Sequence, residues 1–166
     1  RIRHSLSGRI MVHGVEVELS VSVGVAVGLP AHLEGVSCQE AAIELLRKAG
    51  LKRALVSSSN DDGNQKLYAE APDLILPSLR PYRSRGETSS RVRDAGVVKY
   101  LEERLARYRY VAVGEFHLYG ADADLPVPKR MVALAKQYKL VLHAHSDVDA
   151  IERLFHQGDS GHRYSN

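Results

Sequence analysis

Two stretches decide the fold: Tyr110-Val-Ala-Val-Gly-Glu-Phe-His117 and Leu140-Val-Leu-His-Ala-His145. Each is a short apolar run that ends in ionisable side chains. Between them, Leu125 to Tyr138 carries helical periodicity, with Pro126 and Pro128 in the first turn, where proline's missing N–H costs nothing. A buried strand, a helix and a second buried strand form a βαβ unit, whose strands lie parallel.

The same alternation extends outward. Upstream, a helix is expected from about Val92 to Arg107, after a strand Leu74-Ile-Leu-Pro-Ser-Leu79 that runs on to Arg80-Pro-Tyr-Arg83. Before that come a short helix to about Glu70, the loop Asn60-Asp-Asp-Gly63 and the strand Arg53-Ala-Leu-Val-Ser-Ser58. A further helix starts at the capping residue Ser37, with Glu40 in the capping-box position, and ends near Ala49 at Gly50. Downstream, Asp147 to Phe155 reads as a last helix. The residues therefore predict an α/β chain with a parallel sheet or barrel. The strand ends read Ser57-Ser-Ser-Asn60, Arg80-Pro-Tyr-Arg83, Glu115-Phe-His117 and His143-Ala-His-Ser-Asp147. All are polar, and chemistry in such folds sits at the carboxyl ends of the strands.

The N-terminal part has a different period. Arg9-Ile-Met-Val12, the pair His13-Gly14 and the alternating valines from Val15 to Val27 predict a β-hairpin. The expected organisation is a hairpin and linker over 1–37, a barrel-like domain over 38–157 and a polar tail over 158–166.

Composition narrows the class. The chain has 166 residues, 44% hydrophobic and 26% charged, a net charge of +3 and one cysteine, Cys38. That suits an ordinary globular domain and excludes an internal disulfide or a cysteine-rich zinc site. No apolar run reaches the roughly 18 residues that span a membrane. Arg1-Ile-Arg-His4 leads into no signal-peptide core, so a cytoplasmic protein is expected. The absence of an initiator Met reads as a processed or excised piece. The basic residues are spread out, apart from a cluster between Arg80 and Arg93, so nucleic acid is not indicated.

Candidate chemistry follows from residue type. Glu115 closes a buried strand and reads either as a metal-bridging carboxylate or as a strand-end acid paired with Arg80 or Lys129. His143 and His145, two apart on one strand, share a face. They read as ligands for zinc or a similar ion, or as hydrogen-bonded core histidines. His117 shares the face of Glu115 as a ligand, a substrate contact or a base. Arg80, Tyr82 and Arg83 suit an anionic substrate group, or are solvated loop residues. Asp147 and Asp149 read as charges at a helix start.

From Ala41 to about Phe155, the runs Leu55-Val-Ser-Ser-Ser-Asn-Asp-Asp-Gly63, Leu79-Arg-Pro-Tyr-Arg-Ser-Arg85, Gly114-Glu-Phe-His-Leu-Tyr-Gly120 and Leu140-Val-Leu-His-Ala-His-Ser-Asp147 resemble the amidohydrolase superfamily of metal-dependent TIM-barrel hydrolases, in a branch related to the TatD-type deoxyribonucleases. The resemblance implies a partial (β/α) barrel of about four parallel βα units. It implies Glu115 as the bridging carboxylate, His143 as a ligand, and His117 and His145 as neighbouring or substrate residues. It further implies a divalent ion (zinc, manganese or iron) that activates water against an ester, amide or phosphodiester of a small molecule.

The chain also departs from that pattern. The family's first-strand His-x-His is missing before Cys38, and His32 with Glu34 is the nearest substitute. No strand supplies the family's later His and Asp; only His156 and His162 remain. Open edges of a half-barrel invite a homodimer. Residues 1–28 resemble the closing hairpin of a GGDEF-type diguanylate cyclase domain, without its nucleotide-binding loop. The competing expectation is a non-catalytic α/β fragment or fusion that retains the barrel strands.

Overall fold

A computed structural model of the chain describes residues 8–12, 15–19, 38–87 and 91–159. The chain divides into two compact units, Arg1–Ala42 and Ile43–Asn166. In the first, β1 (Gly8–Val12) and β2 (Val15–Leu19) form an antiparallel hairpin, with Val12 opposite Val15 beside the turn and Gly8 opposite Leu19. The expected continuation of β2 to Val27, the linker over 28–37, His32 and Glu34 lie outside the described residues. Helix α1 (Cys38–Lys48) ends where expected, at Gly50 with φ +76°, a conformation that costs glycine nothing.

The second unit holds β3 (Ala54–Val56), α2 (Asp62–Glu70), β4 (Ile75–Leu79), α3 (Ala95–Arg107), β5 (Ala112–Leu118), α4 (Pro126–Gln137), β6 (Val141–Ser146) and α5 (Val148–Asp159). The four strands are parallel and lie in chain order, β3-β4-β5-β6. In an order that never reverses, crossovers of one hand place the connecting helices α2, α3 and α4 on the same face of the sheet. The sheet curls into a half-barrel, as the partial-barrel expectation requires.

The helix-covered face is the core. Leu79, Val113, Phe116 and Leu118 from the strands meet Val97, Leu101 and Leu105 of α3, Met131 and Leu134 of α4, and Ala150 and Leu154 of α5. A smaller cluster around Ala71, Leu74 and Ile75 packs Ile43, Leu46, Ala54 and Val56 at the β3 end. Burial of such side chains stabilises by about 1.5–3 kcal/mol each. Among the described residues of this unit nothing covers the opposite face: Leu55 on β3 is 43% exposed and Val141 on β6 is 66% exposed. In a closed barrel that face is the packed interior.

A buried polar centre joins the layers. The Asp61 side chain is 1% exposed. It accepts hydrogen bonds from Arg104 Nε at 2.9 Å and Nη2 at 2.5 Å, from the Tyr110 hydroxyl, and from Asn64 Nδ2 at 3.3 Å. Asn64 also donates to the Ser78 carbonyl at 3.0 Å. The loop Asn60-Asp-Asp-Gly63 thus seats a structural anion.

Two boundaries differ from the periodicity. Helix α3 begins at Ala95 rather than Val92, because the Asp94 side chain caps it, accepting from Gly96 N–H at 2.8 Å, while Arg91–Arg93 form a separate tight turn. Helix α5 runs past Phe155 to Asp159. There Gln157 anchors its last turn by donating to the Ala123 carbonyl at 2.9 Å.

Candidate active site at the carboxyl ends of the strands

The site begins with an irregularity in β5. Gly114 pairs with His143 and Phe116 with Ala144, so Glu115 has no partner on β6. This is a β-bulge, which re-aims a side chain. Gly114 adopts φ +145°, and a Cβ there would lie 2.2 Å from the His143 carbonyl oxygen. Only glycine lets the two strands approach so closely. The Ser78 hydroxyl on β4 steadies the bulge by donating to the Gly114 carbonyl at 2.7 Å. Phe116 returns to the core and Glu115 points to the uncovered face.

There Glu115 is held from both sides. Oε2 accepts from Arg80 Nη2 at 3.1 Å, and Oε1 shares a short hydrogen bond with His145 Nε2. Arg80 also donates through Nε to the Glu115 carbonyl and through Nη1 to Ser59 Oγ, both at 3.2 Å. The His117 ring stacks on His145, with centroids 4.9 Å apart and planes 15° from parallel. Partial burial raises the cost of charge on Glu115. The bond to His145 and the charges of Arg80, His145 and His143 outweigh it and hold the carboxyl below its ordinary range. The cluster remains open to solvent, with Glu115 at 31% and His145 at 55% side-chain exposure.

Of the residues singled out from sequence, Arg80, Glu115, His117 and His145 come together here. His143 sits beside the bulge, opposite Gly114. Tyr82 and Arg83 do not join them at the surface. Tyr82 is buried; its hydroxyl accepts from the His117 backbone N–H at 3.1 Å, and the Arg80 and Arg91 guanidinium groups lie over its ring at 5.4 and 4.9 Å. Arg83 is bound to Glu87 and to Asp94. Asp147 caps α5, accepting from Ala150 N–H at 2.8 Å and Gly120 N–H at 3.0 Å, as its position at a helix start implies. Ser78 and Gly114 escaped the reading by residue type. A glycine inside a strand pattern was their one available signal.

The donor chemistry of this cluster, a carboxylate with imidazoles, is that of zinc, manganese or iron sites. The number and arrangement of donors fall short of it. Among the described residues no group of three or more His, Cys, Asp and Glu side chains is placed to hold an ion. Both Glu115 oxygens are already engaged, one by a permanent cation. The described residues do not form a metal site by themselves.

No family model, no curated protein and no solved structure matches this chain. Among the described residues no helix is long and apolar enough to cross a membrane.

Proposed function

We propose that this half-barrel belongs to a metal-dependent hydrolase of the amidohydrolase type, acting on an ester, amide or phosphodiester of a small molecule. One observation carries the reading. A bulge on β5 brings Glu115 against His145, beside His143 and His117, at the carboxyl ends of adjacent strands on the uncovered face of a singly wound sheet. That is where such folds place their chemistry. The ion of such an enzyme, zinc, manganese or iron, supplies a water acidified towards neutral pH. The remaining donors come from outside the described residues.

The chain's own side chains have separable roles. Arg80 clamps Glu115 and balances its charge, and a bound cation would take over that role. The Tyr82 hydroxyl and Ser78 fix the backbone on either side of Glu115. The edge strand β6, where Val141 is exposed, is the strand through which a second copy docks. The competing reading, a non-catalytic α/β fragment, is favoured by the engaged oxygens of Glu115.

One experiment separates the two. Bound zinc, manganese and iron are counted per chain after reconstitution, and phosphodiester, ester and lactone substrates are assayed with and without Glu115→Gln. Stoichiometric metal that is lost with Glu115→Gln, together with hydrolysis, is the expected result. Absence of metal after reconstitution selects the non-catalytic fragment. A strictly monomeric mass in solution removes the docking of a second copy.

A further inference from the structure

The end of the sheet opposite the Glu115 cluster carries a second feature. There α3 passes into β5 and α4 into β6, and a cleft of about 440 Å³ opens between the two connections. Arg107, Tyr108 and Arg109 form one wall, Tyr138 forms the other, and Leu105 and Leu140 complete an apolar lining. No carboxylate lines it.

The exposed arginines Arg47, Arg83, Arg93 and Arg130 each hold an Asp or Glu. Arg107 and Arg109 are equally exposed, yet neither has a carboxylate partner among the described residues. Lys52, Arg53 and Lys66 elsewhere on the unit are also exposed without a carboxylate partner among the described residues; what sets this end apart is that such cations line a cleft together with an exposed tyrosine. Arg107 lies over the Tyr108 ring, 5.1 Å from its centroid. Arg104 covers the same ring at 4.5 Å but is committed to Asp61 and Asp62. Lys139, beside Tyr138, is exposed, has φ +55° and lacks a carboxylate partner among the described residues. Tyr138 itself is 38% exposed. The net charge of +3, spread over the whole chain, conceals this local excess.

Unpaired cations beside an exposed aromatic ring match one ligand chemistry, a phosphodiester chain with unstacked bases. Phosphates satisfy the guanidinium groups. An exposed tyrosine offers a surface on which a base stacks, and the cleft has the size of a small-ligand site rather than of a duplex groove. A base within a duplex is already stacked and cannot use the ring.

We propose that this cleft binds single-stranded nucleic acid, with Arg107 and Arg109 on the phosphates and Tyr138 against a base. The inference is independent of the reaction proposed at Glu115, because the two features lie at opposite ends of the strands.

The test is fluorescence anisotropy of the whole chain with a short labelled oligouridine, from low to physiological salt. Saturable binding that weakens steeply with salt is expected. The double variant Arg107→Ala/Arg109→Ala is expected to lose about tenfold or more in affinity, with a salt slope shallower by about one per removed cation. Tyr138→Ala is expected to lose about fivefold or more through stacking. Lys99→Ala removes the same charge from α3, where it pairs with Glu103 instead, and is expected to leave affinity unchanged. All four positions are exposed, and circular dichroism checks that each variant remains folded. Lack of saturable binding at low salt overturns the proposal, as does full affinity in the double variant. Equal affinity for a duplex of the same length, unaffected by Tyr138→Ala, overturns it too, as does uridine monophosphate competing as well as the oligomer.

Discussion

Asp61 and Glu115 are the same chemical device in two settings. Each is a carboxylate held by an arginine and by one ring-borne donor: Arg104 with the Tyr110 hydroxyl, or Arg80 with the His145 imidazole. Asp61 is sealed beneath α2 and α3 and takes a further bond from Asn64. Glu115 stands at the rim of an uncovered sheet face, and its second partner is the more exposed group. A buried charge must keep all its partners, because removing one strands the others without water. A rim charge can exchange partners, because water replaces whatever leaves. The first arrangement is architecture. The second is available for chemistry.

That contrast can be broken by substitution. Asp61→Ala leaves Arg104 and Tyr110 unpaired in a closed space, and a loss of about 3–5 kcal/mol in urea denaturation is expected. A loss below about 1 kcal/mol, as for an exposed pair, would place Asp61 in the same class as Glu115.

Gly114→Ala has an intermediate effect. The new methyl meets the His143 carbonyl, so either the backbone carries strain of about 1–3 kcal/mol or β5 and β6 separate locally. The expected sign is a moderately lowered midpoint in urea together with loss of the stacked His117 and His145 resonances in NMR. Unchanged histidine resonances would show that the bulge does not hold the cluster together.

Glu115→Gln is expected to change stability least, by no more than about 1 kcal/mol near neutral pH, since both its partners are solvent-accessible. Its pH dependence sharpens the point. The folded-state pKa of Glu115 lies below its unfolded value, so its contribution is fully present above about pH 5 and fades as the pH falls through the lower, folded value. The stability difference between the native chain and Glu115→Gln should shrink as the pH falls below about 5. A difference that grows on acidification would mean that the carboxyl is raised, as for a buried acid.

Much of this was legible in the residues. Short apolar strands alternating with helices marked the parallel sheet. The polar strand ends located the cluster, because side chains at carboxyl ends have no covering helix and escape the demand for apolar packing. Arg80 as the partner of Glu115 was one of the readings the residues allowed. The burial of Asp61 is not legible in the loop Asn60-Asp-Asp-Gly63, which resembles a turn as much as a metal loop, since it depends on α3, which arrives more than forty positions later in the chain. Arg83 was grouped with Arg80 by adjacency, yet Glu87 and Asp94 claim it through loop geometry that no local pattern records.

What the sequence by itself determined is the alternation of elements, their approximate limits and the kinds of side chain at each strand end, because these follow from local propensity and periodicity. Only the tertiary structure decided the unreversed strand order, the bulge at Glu115, which carboxylate is sealed and which is open, and the unpaired cations beside Tyr138. Each of these depends on residues far apart in the chain being brought together, and on which of them then remain in contact with water.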